Sequence, residues 1–116
     1  AFGELCYFQT ADSRWELSQA AAAQIATASL RLGMCVQAAA NNGSATTMLL
    51  WGKIRANSQF PTMTIGAPVY ISAATAGVIT STAPTGTTDF TVRKIGAANS
   101  ADELFFNPSN DYITLA

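Results

Sequence analysis

Gly66-Ala67-Pro68-Val69-Tyr70-Ile71 repeats the pattern of Gly3-Glu4-Leu5-Cys6-Tyr7-Phe8, 63 positions earlier in the chain. In both stretches a glycine opens a run rich in β-forming side chains, with tyrosine at the same place. The same spacing carries Trp15-Glu16-Leu17-Ser18 onto Val78-Ile79-Thr80-Ser81, and Arg31-Leu32-Gly33 onto Lys94-Ile95-Gly96. Further on, Ser44-Ala45-Thr46-Thr47-Met48-Leu49-Leu50-Trp51 resembles Ser100-Ala101-Asp102-Glu103-Leu104-Phe105-Phe106-Asn107 at a spacing of 56, so the second copy has a loop shorter by seven residues. Several kinds of match held at one spacing over about thirty residues are the mark of a doubled supersecondary unit.

Each copy divides into short apolar segments separated by turn residues. Leu5 to Gln9 is rich in β formers, and Arg14-Trp15-Glu16-Leu17 alternates with Trp15 and Leu17 on one face. The cluster Thr10-Ala11-Asp12-Ser13 joins them as a hairpin. Leu30 to Val36 reads as a third strand. Thr46 to Ile54 reads as a fourth, nearly all apolar through Met48-Leu49-Leu50-Trp51, with Gly52 marking a bulge. Asn41-Asn42-Gly43-Ser44 is the strongest turn signal, because Asn and Gly accept positive φ. That reading outweighs the glycosylation pattern Asn42-Gly43-Ser44.

Gln19 to Ser29 contains Ala20-Ala21-Ala22-Ala23 behind a capping Ser18, which leaves room for one short helix around residues 19–29. Its counterpart, Thr82 to Phe90, is a Pro- and Gly-containing loop. Arg55 to Pro61 links the copies. Pro61 has no N–H for a ladder and biases Phe60 toward extended backbone, which predicts Phe60 as an exposed aromatic knob. After the turn Asn107-Pro108-Ser109-Asn110-Asp111, Tyr112 to Leu115 gives a closing strand. About nine short strands with frequent turns predict an all-β fold, a small β-sandwich or barrel built from two similar four-stranded halves. The domain reading is one unit over 1–116, with a pseudo-repeat of 3–56 and 66–115.

Composition narrows the function. The 116 residues are 49% hydrophobic and only 11% charged, with net charge −1, against about 25% charged in an ordinary soluble domain. Such a polar but barely ionised surface suits one that is covered in an assembly, with a stable monomer of Thr- and Ser-rich β surface as the alternative. The longest basic run is Arg93-Lys94, too little to neutralise a phosphate backbone, so no nucleic-acid partner is expected. No apolar stretch approaches a membrane span, so no membrane partner is expected.

The chemistry is sparse. There is no histidine, which removes the Ser-His-Asp and Cys-His arrangements and most zinc sites. No phosphate loop, dinucleotide fingerprint or nucleophile elbow is present. Among the seven carboxylates only Glu4 and Glu16 could face each other, across the first hairpin, as a hydrolase pair would require; as strand residues they are more simply solvated. Cys6 and Cys35 lack the spacing of a metal site and read as buried thiols, with a cross-strand bridge as the alternative. Trp15, Trp51, Tyr7, Tyr70 and Tyr112 are the rings available for stacking on a sugar, although Tyr7 and Tyr70, at equivalent places, suit packing better. No enzyme, metal or cofactor is expected.

The second half, from Phe60 to Leu115, resembles a β module recurrent in structural proteins of tailed bacteriophages: head decoration (cement), head fibre and tail fibre proteins. The resemblance rests on Gly66 to Ser72, Thr75-Ala76-Gly77-Val78-Ile79-Thr80, Thr82 to Gly86, Val92-Arg93-Lys94-Ile95-Gly96, Leu104 to Ser109 and Asp111-Tyr112. The first half matches more loosely, through Gly3, Tyr7, Leu32-Gly33 and Leu49-Leu50-Trp51-Gly52. It implies a viral structural protein of the virion, on the outer capsid surface, with the major capsid protein and further copies of itself as partners, the copies taken as a trimer. A receptor- or carbohydrate-binding fibre tip is the alternative. The family carries no catalytic residues. Phe2, Asn57, Phe60 and Pro61 are the expected interface residues.

Overall fold

The computed structural model describes residues 2–9, 14–18, 31–37, 46–57, 59–85, 91–109 and 113–114. Among these, eleven strands and no helix occur: β1 (Leu5–Gln9), β2 (Arg14–Leu17), β3 (Leu32–Gln37), β4 (Thr47–Leu49), β5 (Gly52–Arg55), β6 (Pro68–Ile71), β7 (Ile79–Thr80), β8 (Thr91–Val92), β9 (Lys94–Ala98), β10 (Glu103–Phe106) and β11 (Ile113–Thr114). A four-stranded sheet has the order β2-β1-β3-β4, and a five-stranded sheet the order β5-β10-β9-β6-β7. Strands β11 and β8 form a separate ribbon. The helix allowed at 19–29 and the turns at 10–13 and 41–44 lie outside the described residues.

Strands sharing the 63- and 56-residue spacings occupy the same places in the two sheets. The registers agree as well: Leu5↔Met34 and Cys6↔Gly33 in the first sheet have Pro68↔Ala97 and Val69↔Gly96 as counterparts. Likewise Met34↔Leu49 corresponds to Ala97↔Phe105. The backbone pattern leading into each first strand is also shared. Gly3 N–H donates to Cys35 O at 2.7 Å and Cys35 N–H to Glu4 O at 2.9 Å; Gly66 N–H donates to Ala98 O at 2.7 Å and Ala98 N–H to Ala67 O at 3.0 Å. Both glycines have positive φ, 85° and 80°.

The expected fourth strand, Thr46 to Ile54, is corrected. It is two strands, with β4 pairing β3 in one sheet and β5 pairing β10 in the other. The chain changes sheets at Leu50-Trp51-Gly52, where Gly52 sits at φ 126°, a backbone that side chains disfavour. Gly52 therefore marks a crossover and no bulge. Register shifts do occur between Cys35 and Gln37 and between Val69 and Tyr70.

The sheets enclose one core. Leu5, Tyr7, Leu32 and Met34 face it from the first sheet, and Ile54, Val69, Ile71, Ala98, Leu104 and Phe106 from the second. Fully burying a side chain of this size contributes about 1.5–3 kcal/mol. A second tie joins the sheets at one margin. Leu5 N–H donates to Gly77 O at 2.8 Å, and Gly77 N–H to Ser18 O at 2.7 Å, so the β6–β7 loop is hydrogen-bonded to the first sheet.

Phe60 is likewise corrected. Expected as an exposed knob, it is buried at 6% exposure in the core with Met63 and Ala56. Its N–H donates to Ala56 O at 3.1 Å, so the linker curls and turns the ring inward. The local bias from Pro61 sets backbone direction only; apolar area removed from water decides where the ring goes.

Candidate assembly surface

In most sandwiches the outward positions of each strand are polar. Here they are largely apolar on the first sheet, whereas the second sheet mixes apolar and charged side chains. Strand pairing places Phe8 opposite Trp15 and Cys6 opposite Leu17, and Cys6 opposite Gly33 and Cys35 opposite Met48. None of these residues belongs to the inter-sheet core. Phe8 and Trp15 meet edge to face at 5.4 Å, and the Arg31 guanidinium lies 5.2 Å from the Phe8 ring centre. An added Cβ at Gly33 would lie 3.2 Å from Trp15 and 3.3 Å from Met48, so these two side chains close over the glycine. Cys6 and Cys35 are buried beneath this layer, while Leu17 and Leu50 stay exposed.

On the second sheet the outward positions alternate Pro68, Tyr70, Ala97 and Phe105 with charged side chains, Lys94 opposite Tyr70, Lys53 opposite Phe105 and Arg55 opposite Glu103. Trp51 stands 64% exposed and meets Phe105 edge to face at 5.2 Å. Beside it lies a groove of about 440 Å³ lined by Lys94, Ala97, Phe105, Asn107 and Pro108. Ile65 and Ile113 are further exposed apolar side chains.

The residues expected from the sequence are scattered relative to these faces. Phe2 is exposed at 47%, Asn57 is exposed, Pro61 is half-buried and Phe60 is interior. Asn57 accepts a hydrogen bond from Arg55 Nε at 2.9 Å. Of the candidate stacking rings Tyr7 is buried, Trp15 and Tyr70 are half-buried, Trp51 is open, and Tyr112 lies outside the described residues. Glu16 pairs with Tyr7, so strand alternation sends it and Glu4 to opposite sides of the sheet. No group of three or more potential metal ligands occurs among the described residues, and no helix there is long and apolar enough to cross a membrane.

Both cysteines are free and buried. Burial, then the neighbouring charges of Cys35 and Glu4, pushes the Cys6 thiol from 9.0 up to about 12. A thiol whose folded value is raised contributes stability present below its unfolded value and lost as pH rises through the folded one. Stability should therefore decline between pH 9 and pH 12. At pH 8 a charged thiol reagent should leave Cys6 unmodified in the native chain and modify it fully in denaturant. Equal native and denatured labelling rates would contradict this placement.

Compared with models of protein families, with curated proteins and with solved structures, the chain gives no significant match to any.

Proposed function

We propose that this chain is a non-enzymatic structural module of a tailed-phage virion that decorates the outer capsid surface and cements neighbouring shell subunits. Its partners are the major capsid protein and other copies of itself, the trimer taken from the family resemblance; nucleic acid and membrane have no part. The observation that carries this reading is the apolar outward face of the first sheet, with Phe8, Trp15, Leu17 and Met48, in a chain that is only 11% charged. A low-charge surface suits close protein contact, because burying an unpaired charge is costly. A small module that binds only the assembled shell shifts that shell's stability by mass action, with no chemical step.

The measurement that tests it is the copy number of this chain per purified particle, by quantitative mass spectrometry against the major shell protein. A ratio near that of the shell subunit, or a simple large fraction of it, is expected. A handful of copies per particle would remove the cement role and favour the fibre tip. The exposed Trp51 beside the Phe105 groove favours that second reading, which requires a measurable glycan affinity lost on Trp51→Ala.

A further inference from the structure

The groove on the second sheet combines a fixed wall, an open aromatic ring and positive charge. Ala97 and the half-buried Phe105 line it from the sheet, and Lys94, Asn107 and Pro108 stand around them. The segment from Asn107 to Ser109 is tied to the sheet beside it. Asn107 N–H donates to Ile95 O at 2.9 Å, and Ser109 N–H to Lys94 O at 2.9 Å. Arg93, only 1% exposed, donates from Nε to Ser109 O at 2.6 Å. A wall held by these bonds is in place before a ligand arrives, which lowers the ordering cost of binding. At the rim Trp51 stands 64% exposed and edge to face with Phe105 at 5.2 Å. The charges beside the groove are positive. Lys94 lines it and is exposed, and Lys53, also exposed, stands opposite Phe105 in the strand pairing. Glu103, opposite Arg55, lies on the other side of Phe105 from Asn107 and accepts a hydrogen bond from Asn99 Nδ2 at 3.3 Å. No carboxylate lines the groove among the described residues.

We propose that this groove binds an acidic saccharide, with a sugar ring laid against Trp51 and its carboxylate held by Lys94. The volume of about 440 Å³ lies within the roughly 300–1,000 Å³ of small-molecule sites. A pyranose has a face of C–H bonds and an edge of hydroxyls. The open indole ring takes the first through dispersion and the removal of apolar area from water. The exposed Asn107 amide offers both donors and an acceptor to the second. An ammonium group only donates, and its bond to a carboxylate is about twice as strong as a neutral one. An apolar ligand covering the groove would leave Lys94 and Asn107 without partners, which is costly. A nucleic-acid strand calls for a longer row of cations than these two lysines. The inference rests on the glycan-binding reading above and adds the charge of the sugar. It leaves the cement role untouched, because that role is read on the particle and this one on the purified chain.

The test is calorimetric titration of the purified chain at low salt with two probes, tetragalacturonate and the neutral maltotetraose. The acidic sugar is expected to bind about tenfold more tightly than the neutral one, and added salt should narrow that gap. Lys94→Gln should weaken the acidic sugar about tenfold, to the level of the neutral one, and leave the neutral one unchanged. Trp51→Ala should remove binding of both. Arg14→Gln, at an exposed position of the first sheet, deletes the same charge and should bind as the wild type does. Lys94 and Trp51 are both exposed, so unfolding midpoints near the wild-type value are expected and separate lost binding from lost fold. Equal affinity for the two sugars overturns the acidic class and leaves a glycan-binding tip standing. Binding of neither removes both. A Lys94→Gln chain that holds the acidic sugar as tightly as the wild type overturns the inference. So does an Arg14→Gln chain weakened to the same extent, for overall charge and not the groove would then be responsible.

Discussion

Gly96→Ala is expected to abolish folding of the second sheet or to cost more than about 3 kcal/mol, while the equivalent Gly33→Ala in the first sheet costs about 1 kcal/mol. A Cβ on Gly96 would stand 2.1 Å from the Phe105 carbonyl oxygen and 3.1 Å from its carbonyl carbon. That obstacle is backbone of β10, itself held between β5 and β9, so relief requires moving a paired strand. At Gly33 the nearest atoms are side-chain atoms of Trp15 and Met48, at 3.2 and 3.3 Å. Met48 belongs to the edge strand β4 and can shift by a few tenths of an ångström. Since whole-domain stability is about 5–15 kcal/mol, the first loss threatens the fold and the second does not. Urea unfolding of the two variants checks this, and equal losses at both positions would refute the asymmetry.

Phe60→Ala should lower stability by about 3–5 kcal/mol, as large-to-small changes in a packed core do. The ring is interior, at 6% exposure, and seals the core under the linker with Met63 and Ala56. For a chain of this size the melting temperature should fall by at least about 10 °C. Because the ring does not reach the surface, the variant that remains folded at low temperature should associate as the wild type does. An unchanged melting temperature with weakened assembly would place the Phe60 ring at the surface.

Those two residues mark the boundary of what the sequence discloses. The first hairpin was legible, because Arg14-Trp15-Glu16-Leu17 alternates and a turn cluster precedes it; Trp15 and Leu17 do share a face, opposite Phe8 and Cys6. So was the all-β class. The run Met48-Leu49-Leu50-Trp51-Gly52 was not, since an unbroken apolar run carries no period and cannot show that its two ends belong to different sheets. The apolar outward face of the first sheet was hidden for a similar reason. Cys6 and Val69, or Tyr7 and Tyr70, are alike as residues, and nothing local tells which of two equivalent positions meets the core.

Local chemistry was enough to set short strands and the spacing of the two copies, because side-chain alternation, glycine and proline act over a few residues. Only the tertiary structure decided that β4 and β5 part company, that Phe60 turns inward, and that the two sheets close over one core. Each of those outcomes depends on which apolar surfaces are removed from water together, a choice made between segments far apart in the chain.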